Sequence, residues 1–371
     1  MNRTDGSDPA KATAGKPATE APAGKPATEA MAGKPAALNA APPAPAAFGS
    51  RAIGFFCLKD HTFVDYATQA YLVIVGLLIL FFYRGPAELR DSLLAAHVVY
   101  LLAIQALVRA CARRPGNRVI GFLRHFYPIL LYPALYRETG ELNRMFVGGY
   151  LDGFFIRFEE KLFGCQPSIL FMEKLPWLPV SEIFYAAYFS FYLMVAGMGL
   201  VLYIQEKRQF WRYVSVVSFL FYGCYLAFIF LPVVGSRVFY VAVPGFDHGQ
   251  FSFFPLAFPA AVRAGPMYHL ESWIYRVEAP GGAFPSSHVA AAICTLYFSW
   301  RFIPKIRWIH LVVVILLCAA TVYCRYHYLV DVFAGMLTAA LLIPLGEWLY
   351  RKNSCRPSPS VWDNLADSGK T

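Results

Sequence analysis

Charge is scarce in this chain. Of its 371 residues only 15% are Asp, Glu, Lys or Arg, against 57% hydrophobic. A soluble domain of that size carries about 25% charged residues to cover its surface, so an ordinary soluble globular protein is excluded. Paired cysteines are missing too. The eight, at 57, 111, 165, 224, 294, 318, 324 and 355, form no Cys-x-x-Cys, and most lie inside apolar segments. They offer neither a disulfide framework nor a zinc site and read as small hydrophobes for helix packing. Large apolar residues are nearly absent from residues 1–50, which are built from Ala, Pro, Lys and Thr with Gly-Lys-Pro-Ala recurring at 15, 24 and 33. Such a stretch cannot bury a core and lacks the apolar heart of a signal peptide; a disordered low-complexity cytoplasmic tail is expected. Acidic residues are outnumbered, 23 against 33 basic, for a net charge of +10. The basic excess falls in short loops between apolar runs, which favours a membrane over nucleic acid.

Apolar runs of spanning length are abundant. Asp65–Tyr83, Ser92–Val108, Val119–Tyr136, Ser181–Tyr203, Tyr213–Val233, Ser286–Phe302, Trp308–Tyr323 and Val332–Tyr350 make eight candidates, the third interrupted by Arg124, His125, Pro128 and Pro133. They predict an all-α, polytopic membrane helix bundle of about eight transmembrane helices. Arg109, Arg113, Arg114 and Arg118 follow the second span. Lys207, Arg208 and Arg212 follow the fourth, Arg301, Lys305 and Arg307 the sixth, and Arg351, Lys352 and Arg356 the eighth. With eight crossings all four clusters share one side, the cytoplasm, together with both termini. The segments 137–180, 234–285 and 324–331 then face the opposite side. Leu151–Phe163, apolar at 151, 154, 155, 158 and 162, has helical spacing; it predicts an interfacial helix, drawn over 144–163 and ended by Gly164 and Pro167.

Two histidine motifs flank a pair of spans that cross and return, so they meet at one membrane face. In Cys324-Arg-Tyr-His-Tyr-Leu-Val-Asp331, His327 and Asp331 stand at i and i+4. On a helix the carboxylate would fix the imidazole tautomer and leave the other nitrogen as nucleophile or base. The same pair could also bind zinc with His288 as third ligand, or merely stabilise a helix end. In Gly281-Gly-Ala-Phe-Pro-Ser-Ser-His288, Pro285 suits a first helical turn. The N–H groups of Ser286, Ser287 and His288 would then form an anion cradle, with His288 placed to protonate a leaving oxygen. Arg237 and Arg325 are candidate phosphate clamps. Arg325 lies about 200° from His327 on a regular helix, so it reaches the same phosphate only where that helix ends. Asp247, His248, Arg263, His269, Arg276 and Glu278 read as solvated loop charge.

Pro285-Ser-Ser-His288 and His327-Tyr-Leu-Val-Asp331, followed by Gly335, resemble the second and third motifs of the type 2 phosphatidic acid phosphatase superfamily. The resemblance implies a six-helix core of the phosphatase/haloperoxidase kind, no metal and no cofactor. It also implies His327 as phosphohistidine nucleophile, Asp331 as its orienting partner and His288 as general acid. Two features depart from the common pattern: Thr321 stands where an arginine six residues before the nucleophile is usual, and Pro232-Val-Val-Gly-Ser-Arg237 replaces the first motif. In these respects, and over Asp152…Glu159–Ser168 and Ser181–Tyr188, the chain is similar to the inositolphosphorylceramide synthase-like branch.

The expected layout is therefore a tail over 1–50, two N-terminal transmembrane helices over 51–118, a catalytic membrane domain over 119–350 and a short cytoplasmic tail over 351–371. The expected function is a lipid phosphatase or phosphotransferase of the cell membrane, with its site outside the cytoplasm and a lipid phosphate as substrate. A lipid transporter or scramblase, or a structural membrane protein with a relic site, is the alternative.

Overall fold

The computed structural model describes residues 60–240, 258–278 and 281–353. The residues of the expected N-terminal tail, Asp247, His248, Cys57, Cys355 and the tail from 354 onward lie outside them, as do the side chains of Arg276 and Glu278. Among the described residues the chain is helical and contains no strand. The helices are α1 (Phe63–Phe82), α2 (Ala87–Arg113), α3 (Arg118–Leu142), α4 (Asp152–Phe163), α5 (Pro167–Lys174), α6 (Leu178–Gln205) and α7 (Lys207–Phe230). They continue with α8 (Ser236–Tyr240), α9 (Ala260–Arg263), α10 (Pro266–Glu278), α11 (Ser287–Phe302), α12 (Arg307–Tyr323) and α13 (Leu329–Asn353).

Burial follows the helical period. On α1, Val64, Thr68, Tyr71, Leu72, Val75 and Ile79 form the inward stripe, whereas Val73, Ile74, Leu77, Leu80 and Phe81 are exposed. An apolar ridge of that size would be costly in water and is the natural face toward lipid. α2 buries only His97, Ile104 and Val108. By contrast, α7 is buried on all sides, with Tyr213, Val214, Ser215, Val216, Val217 and Ser218 in unbroken succession. It is the central post against which α1, α3, α6, α11 and α13 pack.

Three ion pairs lie inside this bundle, where a low-dielectric interior favours pairing of charge. Arg124 of α3 bonds Asp65 of α1, which also accepts from Tyr127 Oη at 2.6 Å. His97 of α2 meets Glu138 of α3 at 2.6 Å. Arg212 of α7 grips Glu347 of α13 through three contacts of 2.5–2.9 Å.

Every apolar segment read from the sequence overlaps a helix, but among the described residues five helices are both long and apolar enough to cross a membrane: α1, α2, α6, α7 and α13. α3 has the length, yet Arg118, Arg124, Arg137 and Glu138 make it polar. α11 and α12 stop at 16 and 17 residues. The interfacial helix is shorter than drawn. It begins at Asp152, and residues 144–151 take turns and bends.

Three chain reversals gather at one end of the bundle and are tied by backbone hydrogen bonds. Ala283 N–H donates to Val233 O at 2.7 Å, Arg237 N–H to Arg325 O at 2.5 Å, and Ser286 N–H to Asp331 O at 3.1 Å. At Gly235 the chain passes so near the Tyr326 carbonyl that a Cβ would collide with it, and φ is +86°. Only glycine suits that position.

Candidate active site

The knot of reversals holds both histidines. α12 ends at Tyr323, and Arg325 takes the left-handed conformation, φ 62°. Its N–H bonds Val322 O while Tyr326 N–H bonds Thr321 O, the paired bonds of a Schellman stop. His327 N–H also donates to Thr321 O. Thr321 thus contributes its carbonyl to the turn that carries His327.

α13 starts two residues beyond His327, so the expected i, i+4 contact of His327 and Asp331 is made from outside the helix rather than along it. Asp331 lies at the third position of α13 and reaches back to cap the helix, accepting from Tyr328 N–H at 2.9 Å. Its Oδ2 is 3.4 Å from His327 Nδ1. The closer partner of Nδ1 is the Ala283 carbonyl at 3.0 Å. A carbonyl can only accept, so Nδ1 carries the hydrogen and Nε2 keeps its lone pair. Ser286 Oγ lies 3.2 Å from that Nε2. Burial lowers the His327 pKa from 6.5 to about 4, opposed in part by the Ala283 bond. The imidazole is therefore neutral at physiological pH.

Ser286 is the N-cap of α11, its side chain accepting from Val289 N–H. Pro285 accordingly precedes the cap rather than occupying the first turn. The expected cradle of three N–H groups is reduced, because that of Ser286 is spent on Asp331 O. Ser287 and His288 remain in the open first turn, where helix N–H groups lack intrahelical acceptors. The His288 ring lies 5.6 Å from the His327 ring, centroid to centroid. Its Nε2 is 3.1 Å from Tyr188 Oη of α6. His288 and Ser287 also border a cavity of about 240 Å³ walled by Tyr132, Tyr136, Phe191 and Tyr225.

The two arginines form a second cluster. Arg237 and Arg325 approach the Phe258 ring at 5.0 and 5.2 Å. Arg237 donates to Ser272 Oγ at 2.9 Å and lies over the Tyr326 ring at 4.8 Å. Tyr326 stacks on Tyr188, centroids 4.3 Å apart, and Tyr188 bonds His288. Guanidinium and imidazole layers are thus joined through two stacked tyrosines. Arg325 is 1% exposed, so its guanidinium is held inside the protein rather than reaching out to the interface. Arg263 and His269 are exposed, as solvated loop charge should be. The zinc alternative requires three ligands at metal-binding distance, and among the described residues no three His, Cys, Asp or Glu side chains are so grouped.

Three side chains at the site, Tyr188, Asp152 and Glu159, carried only the likeness to one branch and had no chemical role assigned from the sequence. The carboxylates are seven residues apart on α4, hence on one face, and that spacing was the available signal. Asp152 accepts from Gly235 N–H and Tyr328 Oη, both at 2.9 Å, and from Val234 N–H at 3.1 Å. Glu159 accepts from Val330 N–H at 3.0 Å.

A multi-pass helical membrane protein with a buried histidine pair at one end of its bundle is the class that fold and site define. The profile of the PAP2 superfamily matches residues 154–345, more than half of the chain. The chain belongs to that superfamily. A PA-phosphatase related-family protein of Dictyostelium discoideum is 36% identical over 55 residues, 15% of this chain and 10% of that protein. The match therefore spans about a tenth of the relative's length. No solved structure matches significantly.

Proposed function

We propose that the protein transfers the phosphoryl group of a membrane lipid phosphate through a phosphohistidine on His327. The observation that carries this reading is the Nδ1–H bond to the Ala283 carbonyl, which leaves Nε2 unprotonated beside the N-terminus of α11. Nε2 attacks phosphorus, and its new N–P bond replaces the P–O bond to the lipid alcohol. His288 gives that alkoxide a proton. The first-turn N–H groups of Ser287 and His288 and the positive end of α11 bind the phosphoryl oxygens. Arg325 and Arg237 supply the balancing positive charge, and the Ser286 hydroxyl yields Nε2 to phosphorus. In the second half His288 takes a proton from water or from an alcohol, whose oxygen attacks the phosphohistidine.

An alcohol acceptor would make the enzyme a phosphotransferase of the inositolphosphorylceramide synthase-like kind. The stretch 152–168 and the Ser181–Tyr188 segment support that branch by likeness alone. The loop charges support eight crossings around a six-helix core, cytoplasmic termini and an extracytoplasmic site.

Incubation of the purified protein with a panel of phosphate-labelled lipids tests the mechanism. Acid-labile, base-stable label should appear on the wild type and vanish in His327→Ala. Labelling that survives this substitution would dismiss His327 as nucleophile. Release of phosphate to water or to added alcohols then tells hydrolysis from transfer.

A further inference from the structure

α4 turns two different faces outward and inward. Phe154, Phe158 and Leu162 form an exposed ridge, 58, 44 and 58% accessible. The opposite face carries Phe155 and Ile156 together with Asp152 and Glu159, both carboxylates fully buried. A buried carboxylate needs donors, and here every donor belongs to one of the loops of the histidine site. Asp152 bridges two of them: its oxygens take the N–H groups of Val234 and Gly235 from the loop that leads to Arg237, and the hydroxyl of Tyr328, the residue after His327. Glu159 holds Val330 N–H in the first turn of α13, one residue from Asp331. Leu151 N–H adds a bond to Pro232 O at 2.8 Å.

We propose that Asp152 and Glu159 are positioning residues: through them α4 clamps the Val234–Arg237 loop to the His327–Asp331 segment and holds the histidine site in register. The clamp rests on the reading of His327 and Asp331 given above. Neither carboxylate touches an imidazole in the contacts described, so each acts through the backbone it holds.

Both oxygens of Asp152 accept from donors, whereas Glu159 accepts through Oε1 and its Oε2 is buried without a partner. Burial lifts both pKa values to about 7, from 3.8 for Asp152 and 4.5 for Glu159. The titratable groups facing Asp152 are Tyr328, Asp331 and Tyr150; Glu159 faces Asp331. Opening the clamp would expose both carboxyls and return their pKa values toward the ordinary carboxylate range, so acid favours the closed clamp and does not release it.

The test uses the full-length protein in detergent micelles, as wild type, Asp152→Asn, Glu159→Gln, the double variant and the exposed control Glu160→Gln. Backbone hydrogen exchange, read by mass spectrometry and corrected for intrinsic rates, reports the clamp without any appeal to turnover. At pH 8, Asp152→Asn should raise exchange in peptides covering 233–237, and Glu159→Gln in those covering 329–331, each about tenfold, while Glu160→Gln changes neither. On phosphatidic acid or whichever lipid phosphate the wild type turns over, kcat should drop about 10–100-fold with KM held within about threefold. Asp152→Asn and Tyr328→Phe should be less than additive, because they break one shared bond. Thermal midpoints at pH 8 should hold or rise, since an ionised buried carboxylate opposes folding. A merely structural residue would lower them. The double variant should show both increases in exchange. Unchanged exchange, or loosened loops with undiminished kcat, would each overturn the proposal. Should the wild type process no lipid phosphate at all, the proposed reaction fails, and exchange alone still decides whether α4 is the clamp.

Discussion

Gly335→Ala puts the seam between α11 and α13 under a measurable load. A Cβ on Gly335 would stand 2.6 Å from the Ser286 carbonyl oxygen and 3.0 Å from Val289 Cβ. Both neighbours are stiff: the first is backbone at a helix cap, the second the branched carbon of a buried valine. Restoring an ordinary contact near 3.4 Å requires the helices to separate by about 0.8 Å. The opening falls where Ser286 N–H meets Asp331 O and Ser286 Oγ meets His327 Nε2. Misplacement of about 1 Å costs on the order of 100-fold in rate, about 2.7 kcal/mol of barrier. Overpacking costs about 1–3 kcal/mol of stability, of which alanine's helix preference returns up to about 1 kcal/mol. Gly335→Ala should therefore fold with a midpoint a few degrees low and lose about 30–100-fold in kcat. Gly121→Ala and Gly197→Ala serve as controls, since nothing lies within 4 Å of either added carbon; both should keep full activity and gain slightly in stability. Turnover per folded molecule in micelles at pH 8 is the assay. Wild-type kcat in Gly335→Ala would refute the argument that this seam sets the geometry of the site.

Tyr188→Phe removes the hydroxyl 3.1 Å from His288 Nε2 but keeps the ring stacked on Tyr326. The loss of one hydrogen bond should lower kcat about tenfold and shift the pH profile, whereas an unchanged profile would free His288 from this partner. Glu347→Ala strands Arg212 at the other end of the bundle and should cost about 3 kcal/mol of stability. Turnover per folded molecule should be unaffected; a matching fall in kcat would show that the two ends are coupled. A protease-site tag inserted after Pro304 should resist external protease in sealed cells, while one between α9 and α10 should be cut. The opposite pattern would invert the sidedness drawn from the loop charges.

Much of the fold was legible because the membrane imposes a single period and length. α1, α2, α6, α7 and α13 fell within a few residues of the apolar runs that predicted them. α3 was harder, and the reason is physical: Arg124 and Glu138 interrupt its hydropathy because they pair inward with Asp65 and His97. Such pairs join residues 41 to 59 positions apart, and no local window contains both partners. α4 was legible on one face only: the apolar ridge at 154, 158 and 162 is exposed, as a lipid-facing ridge should be, while the buried face with Asp152 and Glu159 left no mark on the apolar period.

At the site, residue types were legible and backbone geometry was not. His288, His327 and Asp331 do converge, but the expected i, i+4 geometry assumed a helix that stops four residues before His327. The stop depends on Arg325 adopting a left-handed conformation that glycine usually supplies, and nothing in local composition announces it. That same turn settles the conditional posed by the sequence. Arg325 would face away from His327 on a continuous helix, but the left-handed turn carries it into the buried cluster around Phe258 beside Arg237. The usual arginine six residues upstream is replaced by Thr321, whose carbonyl holds both Tyr326 N–H and His327 N–H. The turn also supplies one guanidinium of the cluster around Phe258, and it is held by Thr321 O, by Ser236 Oγ and by Arg237 N–H on Arg325 O. A substitution that restores a regular helix across 324–328 should therefore displace guanidinium and imidazole together, which ties the two halves of the site to one backbone conformation.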